Sequence, residues 1–455
     1  MKRVAILAIL LVLVLGVGAV GAQSSSRSYL ILSNGNSLPN NLAAQVAAAG
    51  GNVTRVIPEV GIAVAESANP NFANQVRGVR SVIPNVVLDW LPGESVSEAI
   101  SVNFGNPPNS GDDDTRFDLQ WGHDAVNAPE AWNAGQRGAG VVVAVLDEGF
   151  DLDHPDLATQ IKDSISFVPL PGESTASYVL NDPFSHGSHT SGTIAAADNG
   201  FGTIGVAPDA QLVLVKVLSE VQGSGDFDWV ISGIIYAANR GDVDIINMSL
   251  GAVIAKNGVP GEYTAREASE LRIAMSRATT YAYQRGVAIF ASEGNSGIDK
   301  DHTGPIITLP ADADHVISIA ATTPVGWASV NWDGNFDYPA SYTNYGRSAV
   351  DFAAPGGDIL YLGNEGCTVA GLLRPCYVFD LVFSTGSNLN PALASYYWSG
   401  GTSMAAPHAA GVAAIIIGEN GGSMHPAQLE AEMRRRASYG GNTPFYGKGV
   451  VNTGY

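Results

Sequence analysis

The chain has 455 residues, 53 of them glycine, with 45% hydrophobic residues and a formal charge of −20. That length accommodates one large α/β domain and a smaller one. The acidity argues against nucleic acid or an anionic membrane as a partner, and no stretch beyond the N-terminus is long and apolar enough to span a bilayer.

Met1-Lys2-Arg3, the apolar run 4–20 and the small residues Val20-Gly21-Ala22 read as a signal peptide over 1–22. The run is short for a membrane anchor. Export favours a disulfide between the two cysteines, Cys367 and Cys376; a free, inert pair is the alternative.

Residues 28–92 read as a small separate unit. A strand over 29–32 is followed by an Ala-rich helix over 41–49, stopped by Gly50-Gly51. Strands over 53–57 and 61–65 flank a turn at Pro58-Glu59. A second helix over 71–78 and a last strand over 81–90, weakened at Pro84, complete a β-α-β-β-α-β order. That order predicts a ferredoxin-like sandwich. Residues 93–118, with Pro107-Pro108 and Asp112-Asp113-Asp114, read as a flexible, protease-accessible linker. From 119 onward, apolar runs over 141–146, 212–217, 244–248, 287–291 and 316–320 alternate with helices such as 229–240 and 266–285. The pattern predicts an α/β domain built on a doubly wound parallel sheet with flanking helices.

The most informative stretch is Gly400-Gly401-Thr402-Ser403-Met404-Ala405, which leads into an apolar helix. Unpaired N–H groups and the positive end of the helix dipole would surround the Ser403 hydroxyl, which suits a nucleophile whose reaction makes an oxyanion. Pro407 is expected in the first turn, where spare N–H groups tolerate it. Taken alone, Ser403 reads more readily as an N-cap than as a nucleophile. Gly-x-Ser-x-Gly is not matched, because Ala405 stands at the last position. No aspartate follows Ser403, so partner residues must lie upstream.

Asp147 ends the first apolar run, where ligand sites of open α/β sheets lie; its plain reading is a turn or cap residue. His186 precedes a small-residue helix and can project into a cleft at its start. His189 is close enough to suggest a two-histidine metal site, but His-Glu-x-x-His is absent. Asp147, His186 and Ser403 are the three types needed for nucleophilic acyl transfer. Asn295, in a strand-end turn with neighbouring glycines, and the Ser403 N–H would supply the oxyanion donors.

The stretches VVVAVLDEGFDLDHPDL, SHGSHTSGTIAA, IINMSLG, ASEGNSG and GTSMAAPHAAGVAA occur in this order. Together they resemble the subtilisin-like serine peptidases over residues 119–455. The resemblance implies a secreted, monomeric endopeptidase acting on protein or peptide substrates, with catalytic Asp147, His186 and Ser403 and oxyanion residue Asn295. It implies that Ser249-Leu250-Gly251 pairs with extended substrate backbone, with Ser292 and Gly294 also contacting substrate. It makes residues 28–92 a propeptide, an intramolecular chaperone and inhibitor whose following linker is cut in the cleft. It implies no cofactor for catalysis, but a structural calcium held by the Asp156 and Asn199 side chains and the Ala197, Phe201 and Thr203 carbonyls. An ordinary Asn/Gly turn is the alternative there.

The chain departs from the family pattern at Glu148, where a small hydroxyl residue is usual, and at Glu293, where Ala is usual. Glu293 could favour basic substrate side chains or point away. Residues 252–285 and 323–398 are longer than the minimal fold needs; the second, which holds both cysteines and many aromatics, reads as surface cover, with a cleft edge as the alternative. Rival readings are a silent, binding-only relative and an esterase.

Overall fold

The structure, a computed structural model, describes residues 26–91, 93–100, 112–390, 393–441 and 443–455. The expected signal peptide and residues 101–111 of the expected linker lie outside these. Among the described residues, no helix is long and apolar enough to cross a membrane.

The large domain is organised on seven parallel strands. Their spatial order is Ile161–Ser166, Gln211–Lys216, Val142–Asp147, Ile245–Met248, Ala288–Ser292, Val316–Thr323 and Phe352–Pro355. Tyr338–Pro339 adds a short antiparallel pairing to Val316–Thr323. The expected runs all appear as strands within a residue or two at their starts. Val142–Asp147 reads as a continuous apolar run because alternate residues serve two different cores. Val142, Ala144 and Leu146 pack with the helices Phe227–Arg240 and Ala265–Gln284. Val143 and Val145 pack with the helices His186–Ala195 and Thr402–Glu419. Two strands of the sheet were not legible. Ile161–Ser166 is a half-exposed edge strand with polar residues between its isoleucines, and Phe352–Pro355 has only four residues.

The strand order reverses at Val142–Asp147: the chain moves next to one side of it and later to the other. Crevices at the carboxyl ends of strands open at such a point. Asp147, Ser249 and Glu293 all lie at or just past the carboxyl ends of neighbouring strands.

The small unit has the expected order. Arg27–Leu32 lies between Ile62–Ser67 and Ser81–Pro84, with Gly51–Ile57 outermost, all antiparallel. Tyr29, Ile31, Ala63 and Ala65 face the unit's own helices, Leu42–Ala48 and Phe72–Gln75. The opposite face, with Leu30, Leu32, Ile62, Val64 and Ile83, merges with the core under Phe227–Arg240 and Ala265–Gln284. Arg55 with Asp228 (3.2 Å) and Arg80 with Glu270 (2.8 Å) pin the rim.

Two sequence expectations change here. The strand expected over 81–90 breaks after Pro84, which has no N–H to continue the ladder. Asn85 turns its side chain to Asp228 (2.7 Å), and Val87–Leu88 pairs instead with Gly225–Asp226 of the large domain. The expected linker is also partly ordered. Ser95–Ile100 pairs antiparallel with Tyr396–Gly400, which pairs in turn with Val382–Thr385. The 323–398 insertion therefore builds one wall of the cleft. Nearby, Cys367 and Cys376 form a disulfide at a hairpin base and pack with Phe379, Phe383 and Trp398.

Candidate active site

Asp147, His186, Asn295 and Ser403 come from four separate elements and meet at the carboxyl edge of the sheet. Asp147 is fully buried. Its Oδ1 accepts from His186 Nδ1 (2.6 Å) and from the Glu148 N–H (2.8 Å), and its Oδ2 accepts from Thr190 Oγ1 (3.1 Å). The carboxylate thereby fixes the ring of a histidine that opens the helix His186–Ala195.

Ser403 is the second residue of the helix Thr402–Glu419, which is buried over 402–417. Pro407 lies inside the helix rather than in its first turn, so the Ser403 carbonyl loses its i+4 donor. The Ser249 hydroxyl fills that gap, donating to the Ser403 oxygen at 2.7 Å. Ser249 thus supports the serine's own backbone. Leu250 is fully buried in the core, and of the three residues 249–251 it is Gly251 whose N–H bonds to the segment lying in the cleft.

Asn295 Oδ1 is held by the Thr402 N–H (2.9 Å) and hydroxyl (2.7 Å). Its Nδ2 is buried without a hydrogen-bond partner among the described residues. A Cβ at Gly401 would lie 3.1 Å from that nitrogen, so the turn before Ser403 must stay bare for the amide to face it. An oriented, unused amide donor beside a buried hydroxyl is what a developing oxyanion requires. Gly294 donates its N–H to Thr402 Oγ1 (3.1 Å), and Ser292 is fully buried beneath the turn. Among the described residues, neither makes a hydrogen bond to the segment that occupies the cleft.

That occupant is the chain itself. The Trp90 carbonyl accepts from the Gly251 N–H (2.8 Å), and the Trp90 indole donates to the Gly225 carbonyl (2.8 Å). Trp90 is fully buried, with its ring 5.7 Å from Phe227. On the far side of Ser403, Ser95 is in register with Gly400. Between them, Glu94 Oε1 sits 3.0 Å from His186 Nε2, and Glu94 Oε2 accepts from the Ser399 hydroxyl (3.3 Å). Both imidazole nitrogens face carboxylates, so both donate and the ring is a cation. Burial opposes that charge, but Asp147 and Glu94 outweigh it and hold the histidine well above its ordinary pKa. Burial raises Glu94, but His186 and the Ser403 hydroxyl outweigh it and leave the carboxyl below its usual range. Glu94 was not legible as a site residue, since nothing in a Pro-Gly-Glu-Ser linker marks it.

Other expected residues fall elsewhere. His189 is buried with Nε2 near the Val382 (3.2 Å) and Tyr397 (3.3 Å) carbonyls, and burial lowers its pKa to about 3. It packs the cleft wall, and among the described residues it joins no cluster of metal-ligating side chains. Glu293 is fully buried and points away from the cleft, toward Lys300 (3.0 Å). Asp156 accepts from the Thr203 N–H (2.9 Å), Tyr396 hydroxyl (3.0 Å) and Asn199 Nδ2 (3.4 Å), while Asn199 Oδ1 accepts from the Phe201 N–H (2.9 Å). The side-chain oxygens of Asp156 and Asn199, two of the five expected calcium ligands, thus face protein donors, while no donor is seen on the Ala197, Phe201 and Thr203 carbonyls among the described residues. The nearby carboxylates of Asp112, Asp113, Asp114 and Asp198 approach within 4.8 Å of one another.

The sequence profile of the Subtilase family matches residues 138–449. An "Intracellular serine protease" of Paenibacillus polymyxa is 34% identical over 327 residues, covering 71% of this chain and 81% of that one. Subtilisin E of Bacillus subtilis (strain 168) is 33% identical over 338 residues, covering 73% and 70%. The fold is similar to that of an epidermin leader peptide processing serine protease from Staphylococcus aureus, with a TM-score of 0.72, 22% identity and coverage of 95% and 97%.

Proposed function

Because the chain belongs to the subtilase family and is a serine-type endopeptidase, we propose that Asp147, His186 and Ser403 form its catalytic triad and that it is made as a self-processing precursor. The observation that carries this reading is the path of residues 87–91 and 93–100, which lie in the cleft with backbone pairing on both sides of Ser403.

In the proposed cycle the Ser403 hydroxyl attacks the scissile carbonyl and gives its proton to His186 Nε2. Asp147 holds the opposite N–H and stabilises the imidazolium. Asn295 Nδ2 and the Ser403 N–H take the oxyanion. The histidine then protonates the leaving amine, and water resolves the acyl-enzyme by the same route. Extended peptide substrates would use Gly251 on one side and the strand Tyr396–Gly400 on the other, since main-chain pairing binds whatever the side chains are. Residues 28–92 act as the propeptide, with the maturation cut between 91 and 95. Secretion is proposed from the N-terminal sequence alone.

Intact mass of the purified precursor over time, wild type against Ser403→Ala, tests this. The wild type loses roughly its first 90 residues and S403A does not, as an intramolecular serine reaction demands. Processing of S403A at the wild-type rate would remove self-maturation.

A further inference from the structure

Glu148 directs its carboxylate to the main chain of the histidine rather than to its ring. His186 is the first residue of its helix, so its N–H has no acceptor inside the helix. The N-cap hydroxyl of Ser185 serves the Ser188 N–H instead. Glu148 Oε1 takes the His186 N–H at 2.9 Å, and the Glu148 N–H donates to Asp147 Oδ1 at 2.8 Å. That same Asp147 oxygen holds His186 Nδ1 at 2.6 Å. The three residues therefore close a ring of hydrogen bonds, with Glu148 gripping both members of the Asp–His pair.

We propose that Glu148 is a positioning residue of this enzyme, fixing the backbone of His186 against Asp147 and tuning the imidazole by its charge. The inference rests on the triad reading above.

Several ionisable groups surround it. Asp147 and His186 are direct partners. Glu220 lies behind it, where a Cβ at Gly149 would meet Glu220 Oε1 at 3.0 Å. Glu220 is paired with the buried Lys216, which also meets Glu173 at 3.1 Å. Tyr178 and Tyr397 face the same pocket, and Glu94 lies on the other side of the imidazole. Burial pushes the Glu148 carboxyl up to about 8; Asp147 and Glu220 add to this and the His186 charge opposes it. A neutral carboxyl still accepts the His186 N–H at neutral pH. As pH rises through that value the group ionises, becomes a stronger acceptor, and places negative charge beside a ring that turns cationic in the transition state. Its effect on rate therefore grows with pH.

Peptide hydrolysis by matured wild type, Glu148→Ala and Glu148→Gln from about pH 6 to 10, with S403A as blank, tests the proposal. E148A is expected to lose roughly tenfold or more in kcat, with KM within about twofold, since a loosened base misplaces a proton transfer without touching substrate binding. E148Q keeps an oxygen for the N–H but never ionises. It recovers most of the E148A loss near pH 6 and falls progressively behind wild type above about pH 8. An E148A profile superimposing on wild type overturns the proposal. Should E148A fail to melt cooperatively, an E148Q profile equal to wild type at every pH overturns it. Turnover surviving in S403A strikes the triad reading instead, so the two failures are separable.

Discussion

His186 is held between two carboxylates, and only one of them belongs to the catalytic apparatus proposed here. Asp147 is part of the sheet; Glu94 arrives on the segment proposed to be removed at maturation and takes the nitrogen that would receive the serine proton in the proposed cycle. The latch needs an anionic Glu94 and a cationic His186. Glu94 is lowered, so its contribution is present above its ordinary value of 4.5 and is lost as pH falls through its folded pKa. His186 is raised, so its contribution is full below its ordinary value of 6.5 and is lost as pH rises through its folded pKa. Precursor processing should therefore speed up toward alkaline pH. Glu94→Gln should process severalfold faster near neutrality, because losing that carboxylate lowers the histidine pKa and raises its neutral fraction. Gel time courses at several pH values check this, and equal rates for E94Q and wild type would reject the latch.

At the scale of elements, the cleft is lined by backbone that belongs to strands ending or pairing there. The short pairing of Val87–Leu88 with Gly225–Asp226 places Trp90 in a closed apolar site, where its one polar atom finds the Gly225 carbonyl. A fully buried aromatic with a satisfied N–H at the centre of an interface is the type of residue that dominates affinity. The segment 26–91, added in trans to matured enzyme, should inhibit it, and Trp90→Ala should weaken that inhibition roughly 30-fold or more, corresponding to about 2 kcal/mol. Inhibition constants measured for both forms decide; equal constants would mean that Trp90 anchors nothing.

Across the whole molecule, buried ionisable groups set the pH range of stability. His154 and His408 are lowered to about 4 and His189 to about 3 by burial, so each favours the fold above its ordinary value of 6.5 and disfavours it as pH falls. Burial raises Asp226 and Asp380 from 3.8 to about 7 and Glu148 from 4.5 to about 8, so the folded chain binds more protons between those values and loses stability as pH rises across that interval. The melting temperature of S403A, which removes self-digestion from the readout, should fall from about pH 6.5 to 8, where the histidine contribution is complete and the raised carboxyls are still losing protons. A melting temperature that climbs steadily to pH 9 would contradict this balance.

The sequence by itself determined the parts whose signal is local or repeated along the chain. Unbroken apolar runs reported strands buried on both faces, the β-α-β-β-α-β order reported the small unit, and Asp147, His186, Asn295 and Ser403 stood in recognisable local settings. Only the tertiary structure decided which distant groups touch. Glu94 reaches His186 across 92 positions, Thr402 orients Asn295 across 107, and Ser249 supplies the donor that Pro407 removes from Ser403, 154 positions away. It also decided that Glu293 turns inward, that Asp156 faces donors, and that part of an apparent linker is a strand. A linear pattern records burial and propensity one element at a time, whereas a polar side chain's partner is chosen by packing in three dimensions.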